Sequence, residues 1–279
     1  MQFIYNSVFL GHDSKDSREN SSRLKHFAHL KETRLASGEA YLPLAHSKEY
    51  IELVKRASGL GWGYLDSETY ITSKSFETAS YAVSASIKAA EENAFALVRP
   101  PGHHACRDKG MGFCLFNNMA IATKYLLGKG KRVFVVDIDL HHGNGTQEIL
   151  EGLENAFYFS LHQFPLFPGT GRGIGKNYAN VCLPPRVTDT AYIRQLENKL
   201  YPALKAFQPD IIGVSAGFDT YYKDLNILGS NTGFNLTKRS YSSLREILAN
   251  WPAFYILEGG YNPESVKEGV EALTGVEVK

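Results

Sequence analysis

The stretch 133–146 reads Val133-Phe134-Val135-Val136-Asp137-Ile138-Asp139-Leu140-His141-His142-Gly143-Asn144-Gly145-Thr146. It passes abruptly from an apolar, β-branched run to acids and imidazoles. A short run that is apolar at every position predicts a strand buried on both faces of a parallel sheet. Side chains two apart on a strand share a face, so Asp137, Asp139 and His141 point together if the chain stays extended. Open α/β sheets place their ligands at the carboxyl ends of such strands. The polar end reads as half of a metal site, or as a loop in which one Asp caps the next helix.

The same pattern recurs on either side. Phe95-Ala96-Leu97-Val98 runs into a rigid Pro/Gly turn carrying His103 and His104. Asp210 to Ser215 leads to Asp219, and Phe254 to Leu257 leads to Glu258-Gly259-Gly260-Tyr261. Phe3 to Tyr5, Phe157 to His162 and Val181 to Leu183 predict further strands. Helical spacing appears in 23–31, 47–56, 73–93, 117–127, 146–153, 188–207, 238–250 and 263–273. The segment 59–64 is turn-rich and aromatic, a packed loop or part of a site rim. Strands alternating with helices predict one α/β domain over 1–279 with a mostly parallel sheet flanked by helices. Four strand ends bearing reactive groups would then converge on one edge.

Composition narrows the classes. The chain is 43% hydrophobic and 21% charged, as soluble globular domains are. A net charge of +1 argues against binding nucleic acid or a membrane surface through bulk charge. No apolar run approaches the ~20 residues of a membrane span. Cys106, Cys114 and Cys182 form no CxxC pair, and the N-terminus has no signal-peptide pattern, so a reducing cytoplasm is expected.

The motifs RPPGHHA (99–105), GFC (112–114), DIDLHHGNGT (137–146), SLH (160–162), FPGTG (167–171), SAGFD (215–219) and LEGGYN (257–262) closely resemble the zinc-dependent histone deacetylase family, which includes bacterial acetylpolyamine amidohydrolases. Weaker similarity reaches Glu19, Arg23, Leu24 and 46–50. The resemblance implies the arginase/deacetylase fold, with its active site at the carboxyl ends of the strands.

It also implies roles. Asp139, His141 and Asp219 match zinc ligands. His104 matches the general base, His103 its electrostatic partner held by Asp137, and Tyr261 the donor to the oxyanion. Phe113 and Phe167, with Gly112, match the walls of an acyl-lysine channel. A potassium ion is implied near Asp137, Asp139, His141, Ser160 and Leu161. Glu68 falls where the family contacts the substrate backbone, and could accept an amide N–H or attract an ammonium. His142 is expected to face away from the metal.

HHGNG and LEGGY resemble the class II and bacterial branch. Asn226 stands in place of the usual D-P-L pattern, and no glutamate near it supports a polyamine gate. The chain is too short for the insertion with which polyamine-specific members dimerise, so a monomer is expected. The substrate expected is acetyl-lysine or another small acylated amine. An acetylpolyamine is the alternative, and a catalytically weak acyl-binding module is a third reading.

Overall fold

The computed structural model describes residues 1–229 and 231–278. Its strands are β1 (Phe3–Ile4), β2 (Trp62–Tyr64), β3 (Tyr70–Thr72), β4 (Phe95–Ala96), β5 (Val133–Asp137), β6 (Ala156–Gln163), β7 (Tyr178–Leu183), β8 (Ile211–Ala216) and β9 (Ala253–Leu257). Its α-helices are α1 (Lys48–Gly59), α2 (Ser75–Glu92), α3 (Asn118–Gly128), α4 (Asn144–Leu150), α5 (Asp189–Gln195), α6 (Tyr201–Phe207), α7 (Leu225–Leu228), α8 (Lys238–Leu248) and α9 (Pro263–Thr274).

Seven strands form one sheet in the order β1-β4-β9-β8-β5-β6-β7, and every pairing is parallel. Every residue of β5, β8 and β9 is buried, as the unbroken apolar runs require. Helices α2 and α3 pack together against β4, β9, β8 and β5, while α8 packs on α9 and α5. This is the mostly parallel sheet flanked by helices that the alternating pattern predicts.

The order places a topological switch beside β5. The chain leaves β5 toward β6 and β7 on one side, then returns to β8 on the other. Asp137 is level with Ser160 of β6 and Ser215 of β8, so three strand ends align. A crevice opens where the order reverses, and the two flanking strands are those that lead to Asp139 and Asp219.

Several expected elements differ. Residues 23–31 are not an α-helix; a 3-10 helix covers Ser21–Phe27, capped by the Asn20 side chain. The helix expected over 188–207 is broken into α5, a π-helical turn (Leu196–Leu200) and α6. Pro202 has no N–H to give the Asn198 carbonyl, and the preceding Tyr201 N–H bonds instead to Leu196, five residues back. Its apolar stripe survives, with Tyr192, Leu196, Leu200 and Leu204 all buried. The aromatic loop at 59–64 includes β2, which pairs antiparallel with β3 in a separate hairpin. Only Phe95 and Ala96 join the ladder in the run expected to span 95–98.

Candidate active site

Strand β5 ends at Asp137, so Asp139 and His141 are not placed by strand alternation. A polar turn holds them instead. The Asp139 N–H donates to Asp137 Oδ1 (3.1 Å), and the His141 N–H donates to Asp139 Oδ1 (2.9 Å). The loop after β8 brings in Asp219, whose Oδ1 accepts from the Leu140 N–H at 2.9 Å. His141 Nδ1 then lies 3.1 Å from Asp139 Oδ1 and 2.9 Å from Asp219 Oδ2.

These three donors suit a metal ion. Ligands about 2.1 Å from a tetrahedral zinc stand roughly 3.4 Å apart, close to the spacings seen. Asp219 Oδ2 is buried and has no hydrogen-bond partner of acceptable geometry among the described residues. An orphaned carboxylate oxygen facing an imidazole nitrogen and a second carboxylate is what a cation would satisfy. Burial and the neighbouring Asp139 push the Asp219 carboxyl up to about 6, the repulsion a bound cation would relieve. Two glycines make room. A Cβ at Gly259 would lie 2.5 Å from Asp139 Oδ2 and 2.8 Å from Asp219 Oδ2, and one at Gly217 would lie 2.2 Å from Asp139 Oδ2.

The turn after β4 carries the two histidines over this cluster, with ring centroids 4.0 Å apart. His104 Nδ1 is 2.8 Å from Asn144 Oδ1. The Asn144 amide nitrogen faces Cys106 Sγ (3.3 Å) and Met111 Sδ (3.6 Å). A thioether only accepts, so the amide oxygen must face His104, and Nδ1 must carry the proton. Nε2 is left as a free base. Burial, with His103 and His141 nearby, holds the His104 imidazole well below its ordinary value, so it is neutral. His103 is the opposite case. Burial opposes its charge, but Asp139 and Asp137 push it up to about 10. Its Nδ1 lies 3.1 Å from Asp137 Oδ2, which also accepts from the Tyr158 hydroxyl at 2.9 Å.

Tyr261 follows β9 and lines the cavity above the cluster with His104, His141, Phe113 and Phe167. Its hydroxyl has no hydrogen-bond partner among the described residues, and burial pushes its pKa well above 10. Its backbone is fixed by Asp224 Oδ1, which accepts from the Tyr261 N–H at 2.6 Å. Gly112 and Phe113 both have positive φ, 55° and 68°. A Cβ on Gly112 would lie 2.6 Å from His104 Cδ2 and 2.9 Å from Phe167 Cε1, so glycine keeps the passage open. Glu68 is exposed at the mouth. His142 turns away as expected, to Thr170 Oγ1 (2.8 Å) and Gln147 Oε1 (2.9 Å).

Three supports were not foreseen. Asp66 accepts from the Gly112 N–H (3.0 Å) and with Thr69 anchors the Phe113 wall. Asp224 steadies Tyr261. Glu258 is wholly buried, accepts from the N–H groups of Gly102 (2.7 Å) and His103 (3.1 Å), and is pushed up to about 7 by burial. Only Glu258 lay within a quoted motif. Asp66 and Asp224 act through loop backbone, which leaves no spacing to read. His103, Cys114 and Glu258 also lie close enough to share an ion. The Glu258 carboxylate, however, is already satisfied by backbone and by Ser215 Oγ (3.2 Å).

A neutral imidazole base, a charged imidazole, a free phenol and a three-donor cluster below an apolar passage define a hydrolase centre at a parallel-sheet edge. The chain matches the histone deacetylase domain over residues 15–276, and it belongs to the histone deacetylase family. It is 38% identical over 250 residues to an uncharacterised protein of Synechocystis, covering 84% of this chain and 81% of that protein. It is 37% identical to a "Probable deacetylase" of Archaeoglobus fulgidus, covering 78% and 66%. It is also 37% identical to histone deacetylase 15 of Arabidopsis thaliana over 84% of this chain, which spans only 46% of that longer protein. The crystal structure of the HDA15 HD domain superposes with a TM-score of 0.91 at 30% identity, covering 99% of this chain and 90% of that one. The chain is thus a deacetylase-type hydrolase. Among the described residues no helix is long and apolar enough to cross a membrane.

Proposed function

We propose that this chain, as a single catalytic domain over 1–279, is a zinc-dependent deacetylase that hydrolyses a linear N-acyl amide to an amine and a carboxylate. The observation that carries the reading is the orphaned Asp219 Oδ2, set against Asp139 and His141 beside a neutral His104. Asp139, His141 and Asp219 would hold the zinc. Bound there, zinc supplies Lewis acidity, lowering the pKa of a water and polarising an amide carbonyl.

The chain's own groups do the rest. His104 Nε2 takes the proton of the attacking water and later gives it to the departing amine. His103, held by Asp137, stabilises the negative charge that builds beside it. The Tyr261 hydroxyl donates to the oxyanion as the carbonyl becomes tetrahedral. Phe113 and Phe167 guide an aliphatic chain past Gly112. A structural potassium ion near Asp137, Asp139, His141, Ser160 and Leu161 belongs to the same proposal, as do a monomeric state and a cytoplasmic location.

The substrate proposed is acetyl-lysine or a small acylated amine. Acetylpolyamine is the second reading, favoured by one observation: Glu68 sets a negative charge at the mouth. The test is metal analysis with turnover of an acetyl-lysine peptide. About one zinc per chain is expected, with both metal and activity lost in Asp219→Ala. An Asp219→Ala protein that keeps its metal and its turnover sinks the proposal.

A further inference from the structure

Two cavities meet at the mouth. The first, about 190 Å³, opens outward from His104, His141 and Tyr261. The second, about 200 Å³, adjoins it beyond Phe113 and is walled by Ser14, Asp16, Ser17 and Tyr64. Arg18 and Glu68 line both. A substrate whose acyl end enters the first cavity therefore has Arg18 and Glu68 among the groups that can meet its other end.

Arg18 is exposed, and its guanidinium makes no hydrogen bond or ion pair among the described residues. Its backbone, by contrast, is fixed. Asn20 Nδ2 donates to the Ser17 carbonyl (2.8 Å), and the Glu19 N–H donates to Ser17 Oγ (3.1 Å). Glu19 itself is wholly buried between Arg23 (2.8 Å) and Arg99 (2.6 Å). Glu68 is built alike. Its N–H donates to Asp66 Oδ1 (2.9 Å), while its carboxylate is exposed and forms no ion pair among the described residues. Opposite charges thus stand anchored at one mouth without neutralising each other. Asp16, also exposed in the second cavity, adds to the negative side.

We propose that Arg18 and Glu68 together recognise a zwitterionic head group, so that the substrate is a free ω-N-acylated α-amino acid. Its carboxylate pairs with the Arg18 fork and its ammonium with Glu68. This rests on the deacetylase reading and narrows it. A polyamine offers only cations, which Arg18 repels. A lysine within a peptide has neither terminal charge.

Four probes test this: Nε-acetyl-lysine, its α-carboxamide, its Nα-blocked form and N-acetylputrescine. Both Kd by calorimetry and kcat/KM are measured for wild type, Arg18→Gln and Glu68→Gln. Wild type is expected to favour Nε-acetyl-lysine over the carboxamide by about tenfold, the scale of one charge-assisted pair. Arg18→Gln should erase that ratio, and Glu68→Gln should erase the preference over the Nα-blocked form. A wild-type ratio near one, or one that survives Arg18→Gln, overturns the proposal. So does equal preference for the Nα-blocked form, which would mark a peptide C-terminus instead. If nothing is hydrolysed yet Kd values discriminate as expected, the head-group proposal stands and the deacetylase reading falls. Turnover without discrimination gives the reverse.

Discussion

Asn144 Oδ1 accepts a hydrogen bond from His104 Nδ1 at 2.8 Å, and this contact fixes which nitrogen of His104 is free to act as a base. Asn144→Leu removes the acceptor and should lower kcat/KM by about 10²-fold, the lower range for a positioned base, with metal content unchanged. Asn144→Asp should act differently. A carboxylate beside His104 favours the imidazolium and raises its pKa, so the acidic limb of kcat/KM should move to higher pH. A pH profile that Asn144→Asp leaves in place would remove His104 as the base.

Tyr261→Phe should retain zinc and the wild-type fold while kcat falls by about 10²–10³-fold, the usual cost of one oxyanion donor. The free hydroxyl motivates this, because it has no hydrogen-bond partner to lose among the described residues. Metal analysis and steady-state kinetics on the same preparation separate this loss of a donor from a damaged site.

Gly259→Ala should lose metal without unfolding. The added Cβ would meet Asp139 Oδ2 at 2.5 Å and Asp219 Oδ2 at 2.8 Å. Zinc affinity measured by competition with a chelator should fall at least about tenfold, since displaced ligands cannot close on one ion. Unchanged affinity would mean that the carboxylates do not converge on metal.

Acid should cost the protein the stability it draws from histidines buried in neutral form. His12 and His46 are buried, and burial lowers each to about 4. The His46 ring is neutral by its bonding: Nδ1 donates to the Cys106 carbonyl at 3.0 Å, and Nε2 accepts from the Asn117 N–H at 2.9 Å. An unfolded histidine protonates near 6.5, so unfolding gains protons as pH falls from there toward 4. Each group should cost roughly 3 kcal/mol across that window. Glu19 adds the same sign lower down. Burial opposes its charge, but Arg99 and Arg23 outweigh it and bring it to about 2, so its contribution is present above about 4.5 and lost below. Urea melts of wild type and His46→Gln at pH 7, 6, 5 and 4 check this; wild type should lose more stability than the variant between pH 7 and 4, and equal losses would contradict it.

The sheet, its parallel sense and the site edge could be read from sequence because their causes are local. Runs such as 133–136 and 211–214 carry no polar side chain, and only a doubly covered strand buries both sides of such a run. The motifs likewise named Asp139, His141, Asp219, His104 and Tyr261 as site candidates, since each follows closely on an apolar run. Where the local cause was weak, the reading slipped. Residues 188–207 kept their stripe but not their winding, because Pro202 disrupts the ladder without disturbing the apolar spacing.

What only the tertiary structure decided is how those ends act on one another. Strand order put β5 beside β8 at the switch point, which brought Asp219 to within 2.9 Å of His141 across 78 residues of chain. Their partners then separated two adjacent buried imidazoles, leaving His104 neutral against the Asn144 amide and His103 charged against Asp137 and Asp139. The supports from Asp66, Asp224 and Glu258, and the paired charges of Arg18 and Glu68, run through loop backbone and open space. Neither has a periodicity, so sequence alone could not carry them. Sequence set the local conformations and supplied the reactive groups. Long-range packing set their distances and their protonation, on which the chemistry depends.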